Sequence, residues 1–146
     1  MTISPHTEPT VLELLEAASL LERRFDRALS HTKGISFSEY RILSSLAAAE
    51  TYGSTRIDLA NSVCLTASAI TRALRPLEKL GLVVTERSER DARQSLAKLT
   101  PAGTELLEDA KGIFQDALRD LPLHGLKKRE IIEFQNRLEE INKSLR

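Results

Sequence analysis

The chain has 146 residues, enough for one ordinary domain, and 41% of them are hydrophobic, enough for a modest core. Its 21 basic and 21 acidic side chains cancel, so net charge alone points to no nucleic acid, membrane or acidic substrate. A single cysteine, Cys64, excludes an intramolecular disulfide; the first residues lack a signal-peptide pattern and no apolar run approaches the roughly 20 residues of a membrane span, so a cytoplasmic protein without membrane contact is expected.

In chain order, Thr10 and Glu13 have the spacing of a capping box, opening a helix with Val11, Leu14, Ala18, Leu21, Phe25 and Ala28 on one apolar stripe. Ser36 and Glu39 repeat that signal, and Tyr40, Leu43, Leu46 and Ala47 are expected to face inward from a second helix, with Gly53 in the turn beyond. Thr55 caps a short third helix bearing Ile57, Leu59, Ala60 and Val63. Thr66 caps a fourth, Ala67 to Leu80, with Ile70, Ala73, Leu74 and Leu77 on one face and Gly81 as its C-terminal stop. Pro76 conflicts with that helix, because an interior proline removes a ladder bond and costs about 3 kcal/mol; a kink near 72–76 or an early end is expected.

The period then drops to two. Residues 82–87 and 94–99 read as strands of a hairpin joined by a charged loop centred on 89–92. Thr100 and Pro101 start a fifth helix with Leu106, Leu107, Ala110, Ile113, Phe114, Ala117 and Leu118, interrupted at 121–125. A last helix from about Lys127 carries Ile131, Phe134, Leu138, Ile141 and Leu145 at steps of three and four, the seam of a coiled-coil partner. The fold class is therefore mainly α with a small β-hairpin.

Helix, tight turn, helix and hairpin follow one another in the order of a winged helix-turn-helix, whose second helix enters the DNA major groove. Charge distribution agrees: from Arg56 to Lys98 eight basic residues face five acids. Thr66, Ser68, Thr71, Arg72 and Arg75 lie off the apolar face of the fourth helix, where small hydroxyl residues and arginines suit phosphates and base edges. Arg90 and Arg93 are candidates to reach a minor groove from the hairpin tip, with Asp91 bracing a neighbouring arginine. A solvated turn of alternating charges is the competing reading of that loop.

Residues 36–107 resemble the MarR family of bacterial transcriptional regulators, with the matching motifs in the stretch "ITRALRPLEKLGLVVTERSERDARQSLAKLTPAGTELL". The resemblance rests on L-E-x-x-G-L-V from Leu77 to Val83, the wing pair Asp91 and Arg93, and L-T-x-x-G at Leu99, Thr100 and Gly103. It implies one domain, 1–146, with a DNA-binding lobe at 36–100 and N- and C-terminal dimerisation helices at 8–32 and 101–146. It implies a homodimer, with Val11, Leu14, Leu15 and Leu21 joining Ile131, Phe134, Leu138, Ile141 and Leu145 at the interface, and double-stranded DNA with a palindromic operator as partner. It assigns DNA contact to Thr66, Ser68, Thr71, Arg72, Arg75 and Arg93. Ala92 departs from it, since many members place a basic residue there.

The resemblance further implies a repressor released by a small aromatic or anionic effector. Phe25, His31, Tyr40, Arg41 and Phe114 are candidates to line its pocket, although Phe25, Tyr40 and Phe114 also fit core stripes. Cys64 is expected to be a buried, inert thiol, since no basic neighbour in sequence activates it. His6, His31 and His124 are too dispersed for a metal site, no catalytic motif occurs, and no cofactor is expected. A dimeric helical adaptor on the same scaffold is the rival reading; it has no need of outward Arg72, Arg75 and Arg93.

Overall fold

Ser36 begins its helix as the sequence requires: its hydroxyl accepts the Glu39 amide at 3.0 Å, and the Glu39 carboxylate accepts the Ser36 amide at 2.8 Å. The computed structural model describes residues 3–146. It contains six helices, α1 (Thr7–Lys33), α2 (Phe37–Ala48), α3 (Arg56–Val63), α4 (Ala67–Lys79), α5 (Pro101–Arg119) and α6 (Lys128–Ser144), with an antiparallel hairpin, β1 (Val83–Arg87) and β2 (Ser95–Leu99), between α4 and α5. The chain divides into two compact units, Met1–Phe114 and Gln115–Arg146.

In the first unit α1 starts at Thr7, a turn before the expected cap. Thr10 lies inside the helix, where its hydroxyl donates to the His6 carbonyl at 2.7 Å instead of capping. Gly34 ends α1 in the left-handed region, and Asp26 holds the next helix by accepting the Phe37 amide at 2.9 Å. Thr55 and Thr66 cap α3 and α4, each accepting the amide three residues on at 3.1 Å. Cys64 separates the two helices with φ of 54°, which lets the Leu65 amide reach back to the Ala60 carbonyl.

Helix α4 runs through Pro76 to Lys79 rather than ending early. Its proline sits on an exposed face, and the Leu77 and Glu78 carbonyls are taken up by the amides of Leu82 and Gly81 in a Schellman turn, with Gly81 at φ of 73°. Those bonds explain the Leu77-to-Val83 motif. Leu77 and Val83 are buried, Glu78 accepts the Thr85 hydroxyl across the turn, and Gly81 supplies the left-handed residue.

The core gathers Leu29, Ile35, Leu43, Leu46, Leu59, Ile70, Leu74 and Leu77 with Val83, Ala97, Leu107 and Ala110. Each fully buried leucine or isoleucine contributes roughly 1.5–3 kcal/mol. Ile57 and Ala47 depart from the expected inward positions, and both are exposed: the short α3 turns only its Leu59, Ala60 and Val63 side inward, and α2 buries Ile42 rather than Ala47 beside Tyr40, Leu43 and Leu46. The hairpin pairs Val83 with Leu99 and Arg87 with Ser95, and Ser54 bonds Ala97 on the other edge of β2 at 2.9 and 2.8 Å. That bridge ties the start of α3 to the hairpin.

In the second unit, Lys127 precedes α6 and donates its amide to Glu130 at 2.7 Å. Arg129–Glu133 and Arg137–Glu140 pairs line its polar side, and none of its residues is buried. Among the described residues no helix is long and apolar enough to cross a membrane.

Candidate nucleic-acid interface

Helix α4 has two chemically opposite faces. Ile70, Leu74 and Leu77 are buried, whereas Thr66, Ser68, Arg72 and Arg75 are exposed and Thr71 is half-buried. The hydroxyls are not equivalent. Thr66 already accepts an amide and keeps its O–H to donate, while Thr71 spends its O–H on the Ala67 carbonyl at 3.1 Å and is left as an acceptor. Thr66 thus suits a phosphate oxygen, and Thr71 suits an amino group at a base edge.

The loop 88–94 is held by its own polar groups. Ser88 Oγ accepts the amides of Arg90 and Asp91 at 3.2 and 3.3 Å, and Asp91 Oδ1 accepts the Arg93 amide at 3.0 Å. Asp91 therefore braces the backbone at Arg93 rather than a guanidinium as expected, because its short side chain closes a turn two residues on. Arg90, Asp91 and Arg93 are all exposed.

Among the described residues, Arg72, Arg75, Arg90 and Arg93 have no carboxylate partner. Lys33 and Lys98 do, pairing with Asp109 at 2.9 Å and Glu86 at 3.0 Å. The arginines of α4 and the loop thus keep their full donor capacity for an outside acceptor.

Phe25, Phe37, Tyr40 and Phe114 form one aromatic cluster, with centroids 4.5 Å apart for Phe25–Phe114 and 5.2 Å for Tyr40–Phe114. Phe37, Tyr40, Arg41 and Phe114 line an open cleft of about 390 Å³ together with Ser44 and Ser45. Arg41 and Phe37 also border a second cleft of about 520 Å³, with Arg23, Arg27 and Cys64. Phe25 is buried within the cluster and lines neither cleft, nor does His31, which is exposed at the end of α1. Phe37 was not anticipated, although its spacing of three and four from Tyr40 and Arg41 places all three on one side of α2.

Cys64 is exposed, not buried, because the left-handed residue that ends α3 points its side chain away from the core. Among the described residues no cluster of His, Cys, Asp or Glu is placed to hold a metal ion.

The sequence profile of the MarR family matches residues 33–94. The HTH-type transcriptional regulator FarR of Neisseria gonorrhoeae is 34% identical over 96 residues, covering 66% of this chain; the chain spans 64% of that relative's length. Sco3205, a MarR family transcriptional regulator from Streptomyces coelicolor solved in complex with DNA, superposes with a TM-score of 0.88 at 26% identity, over 99% of this chain and 94% of its own. NadR, solved with 4-hydroxyphenylacetate, superposes with a TM-score of 0.78 at 29% identity, over 98% of both chains. With the Leu77-to-Val83 and Leu99-to-Gly103 motifs each given a structural role, the chain is similar to the MarR family in sequence over residues 33–94 and to a MarR family transcriptional regulator in fold over nearly its whole length.

Proposed function

We propose that this chain is a sequence-specific DNA-binding transcriptional regulator, a repressor that grips a palindromic operator as a homodimer and is released by a small effector. The observation that carries this reading is the outer face of α4, where Arg72 and Arg75 stand exposed and unpaired beside the hydroxyls of Thr66, Ser68 and Thr71. Arg72 and Arg75 read base edges, Thr66 and Ser68 bond phosphates, and Arg90 and Arg93 at the loop tip enter the minor groove. The work is done in the cytoplasm, and no catalytic step is assigned to the chain.

Two recognition helices must stand about 34 Å apart to meet successive major grooves, and a dimer fixes that distance. Val11 and Leu15 on α1 are exposed with Leu14 and Leu21 half-buried, and Ile131, Phe134, Ile141 and Leu145 on α6 are exposed with Leu138 half-buried. So much apolar surface on two helices supports an interface with a second copy.

The cleft at Phe37, Tyr40 and Phe114 suits an aromatic ring, and Arg41 suits a carboxylate. The 4-hydroxyphenylacetate bound by NadR has both groups. An effector shifts DNA binding only by its preference for one lobe spacing over another.

The experiment is a comparison of wild type and Arg72→Ala on an operator duplex and on random duplex. A loss of about 1–3 kcal/mol confined to the operator supports base reading. Equal loss on both moves Arg72 to the backbone-contact class, and no preference of the wild type for any sequence removes the proposal.

A further inference from the structure

We infer that the effector cleft selects an aromatic acid carrying a hydroxyl at the end away from its carboxylate, and that Ser44 and Ser45 recognise that hydroxyl. The inference rests on the effector reading above and adds to it a class of ligand and two residues that no motif singled out.

The cleft runs along one stripe of α2. Phe37, Tyr40, Arg41, Ser44 and Ser45 follow at helical steps of three and four, and all five line it, with Phe114 of α5 and Ser62 of α3 completing the wall. Chemistry changes along the stripe. At its N-terminal end the Arg41 guanidinium carbon lies 6.0 Å from the Phe37 centroid, with no carboxylate partner among the described residues. In the middle the Tyr40 and Phe114 rings stack, their centroids 5.2 Å apart. Ser44 and Ser45 stand one turn further on, roughly 10–12 Å along the helix axis from Phe37. A benzene ring with a short carboxylate arm on one side and a hydroxyl on the other follows the same order.

The two serines differ in what they have left to offer. Ser62 donates its O–H to the Leu59 carbonyl at 3.0 Å, so the 2.8 Å bond between Ser45 and Ser62 takes its proton from Ser45. Ser45 is thereby left an acceptor. Ser44, half-buried, has no hydrogen-bond partner among the described residues and keeps its O–H to donate. A donor beside an acceptor is the complement of a hydroxyl, which gives one hydrogen bond and takes another. A carboxylate has no hydrogen for Ser45, and a methyl group leaves both serines unpaired.

Tyr40 supports a polar ligand at this place. It lines the cleft at 9% exposure, and its hydroxyl has no hydrogen-bond partner among the described residues. A buried phenol without a partner is uncommon, and it fits a group that awaits one from outside. The hydroxyl end of the ligand also lies close to the DNA-reading lobe: Ser62, bonded to Ser45, belongs to α3, the first helix of the helix-turn-helix.

The test measures dissociation constants of the full-length protein by calorimetry for para-hydroxyphenylpropanoate, phenylpropanoate and para-methylphenylpropanoate, which differ only at the end away from the carboxylate. Wild type is expected to bind the hydroxylated acid about tenfold more tightly than the other two. Ser44→Ala and Ser45→Ala each lower that ratio to about threefold or less and leave the affinity for phenylpropanoate unchanged. The ratio is taken within one protein, so a variant that is merely less stable does not move it. Arg41→Ala, by contrast, weakens all three acids alike. Ser44→Ala breaks no bond of the free protein, and it decides the matter should Ser45→Ala fail to fold.

Equal affinity of wild type for the three acids overturns the inference while leaving the effector cleft in place. So does a tenfold ratio that survives in either serine variant, or a methylated acid that binds as tightly as the hydroxylated one. Wild-type protein that binds none of the three overturns the effector reading itself, and the inference with it.

Discussion

The Thr100 hydroxyl donates to the Gly81 carbonyl at 2.6 Å and accepts the Gly103 amide at 3.1 Å, so one side chain clasps the turn after α4 to the first turn of α5. Gly103 is buried where a Cβ would collide with the Leu82 carbonyl oxygen, which is why this clasp requires glycine three residues after the threonine. Thr100→Val keeps the shape and loses both bonds. We expect a loss of about 1–3 kcal/mol, read from the urea midpoint at unchanged slope. Gly103→Ala is expected to be the more damaging of the two, and a neutral result there would contradict the close packing described.

Cys64 is exposed and holds φ of 54°, a conformation that costs an L-residue roughly 1–2 kcal/mol. Cys64→Gly relieves that strain at the expense of a more flexible unfolded chain, for a net gain of about 0.5 kcal/mol. Cys64→Val, branched at Cβ, should be less stable than wild type. Thermal unfolding of the two variants side by side gives the order, and a more stable valine variant would refute it.

Local signals were legible in the sequence because they act within a few residues. Ser36 with Glu39, Thr55, Thr66 and Gly81 each do what their spacing promised. Thr10 misled because a threonine satisfied by its own i−4 carbonyl leaves the same spacing to Glu13 as a capping threonine. Ile57 misled because α3 is only 8 residues long, too short for its apolar residues to define one face. Pro76 failed to stop α4 since buried Ile70, Leu74 and Leu77 hold the helix on both sides of it. The hydrogen-bonding capacity left to Ser45 was beyond reach, because it depends on the Ser62 hydroxyl of another helix.

Phe114 contacts Phe25, Phe37 and Tyr40, and it links the aromatic cluster to α5. Phe114→Ala is expected to cost about 3 kcal/mol of stability. Arg41→Ala, at a half-buried position with its guanidinium carbon 6.0 Å from the Phe37 centroid, should leave stability nearly intact. A phenolic acid that raises the unfolding temperature of wild type should do so less in Arg41→Ala. Equal shifts in both proteins would move the effector site away from this cleft.

Phe134 is 50% exposed on α6. Phe134→Glu places a charge in the proposed dimer interface and should convert the dimer to a monomer in sedimentation at micromolar concentration, with the helical signal of the first unit retained. Wild-type protein that sediments as a monomer would contradict the homodimer.

The most direct measurement is selection of bound sequences from a random duplex library at about 150 mM salt, where nonspecific phosphate attraction is substantially screened. The account predicts recovery of a palindrome whose half-sites lie one helical turn apart, and loss of that enrichment when Arg72 and Arg75 are both replaced by alanine. A library that emerges without enrichment from wild-type protein would contradict it.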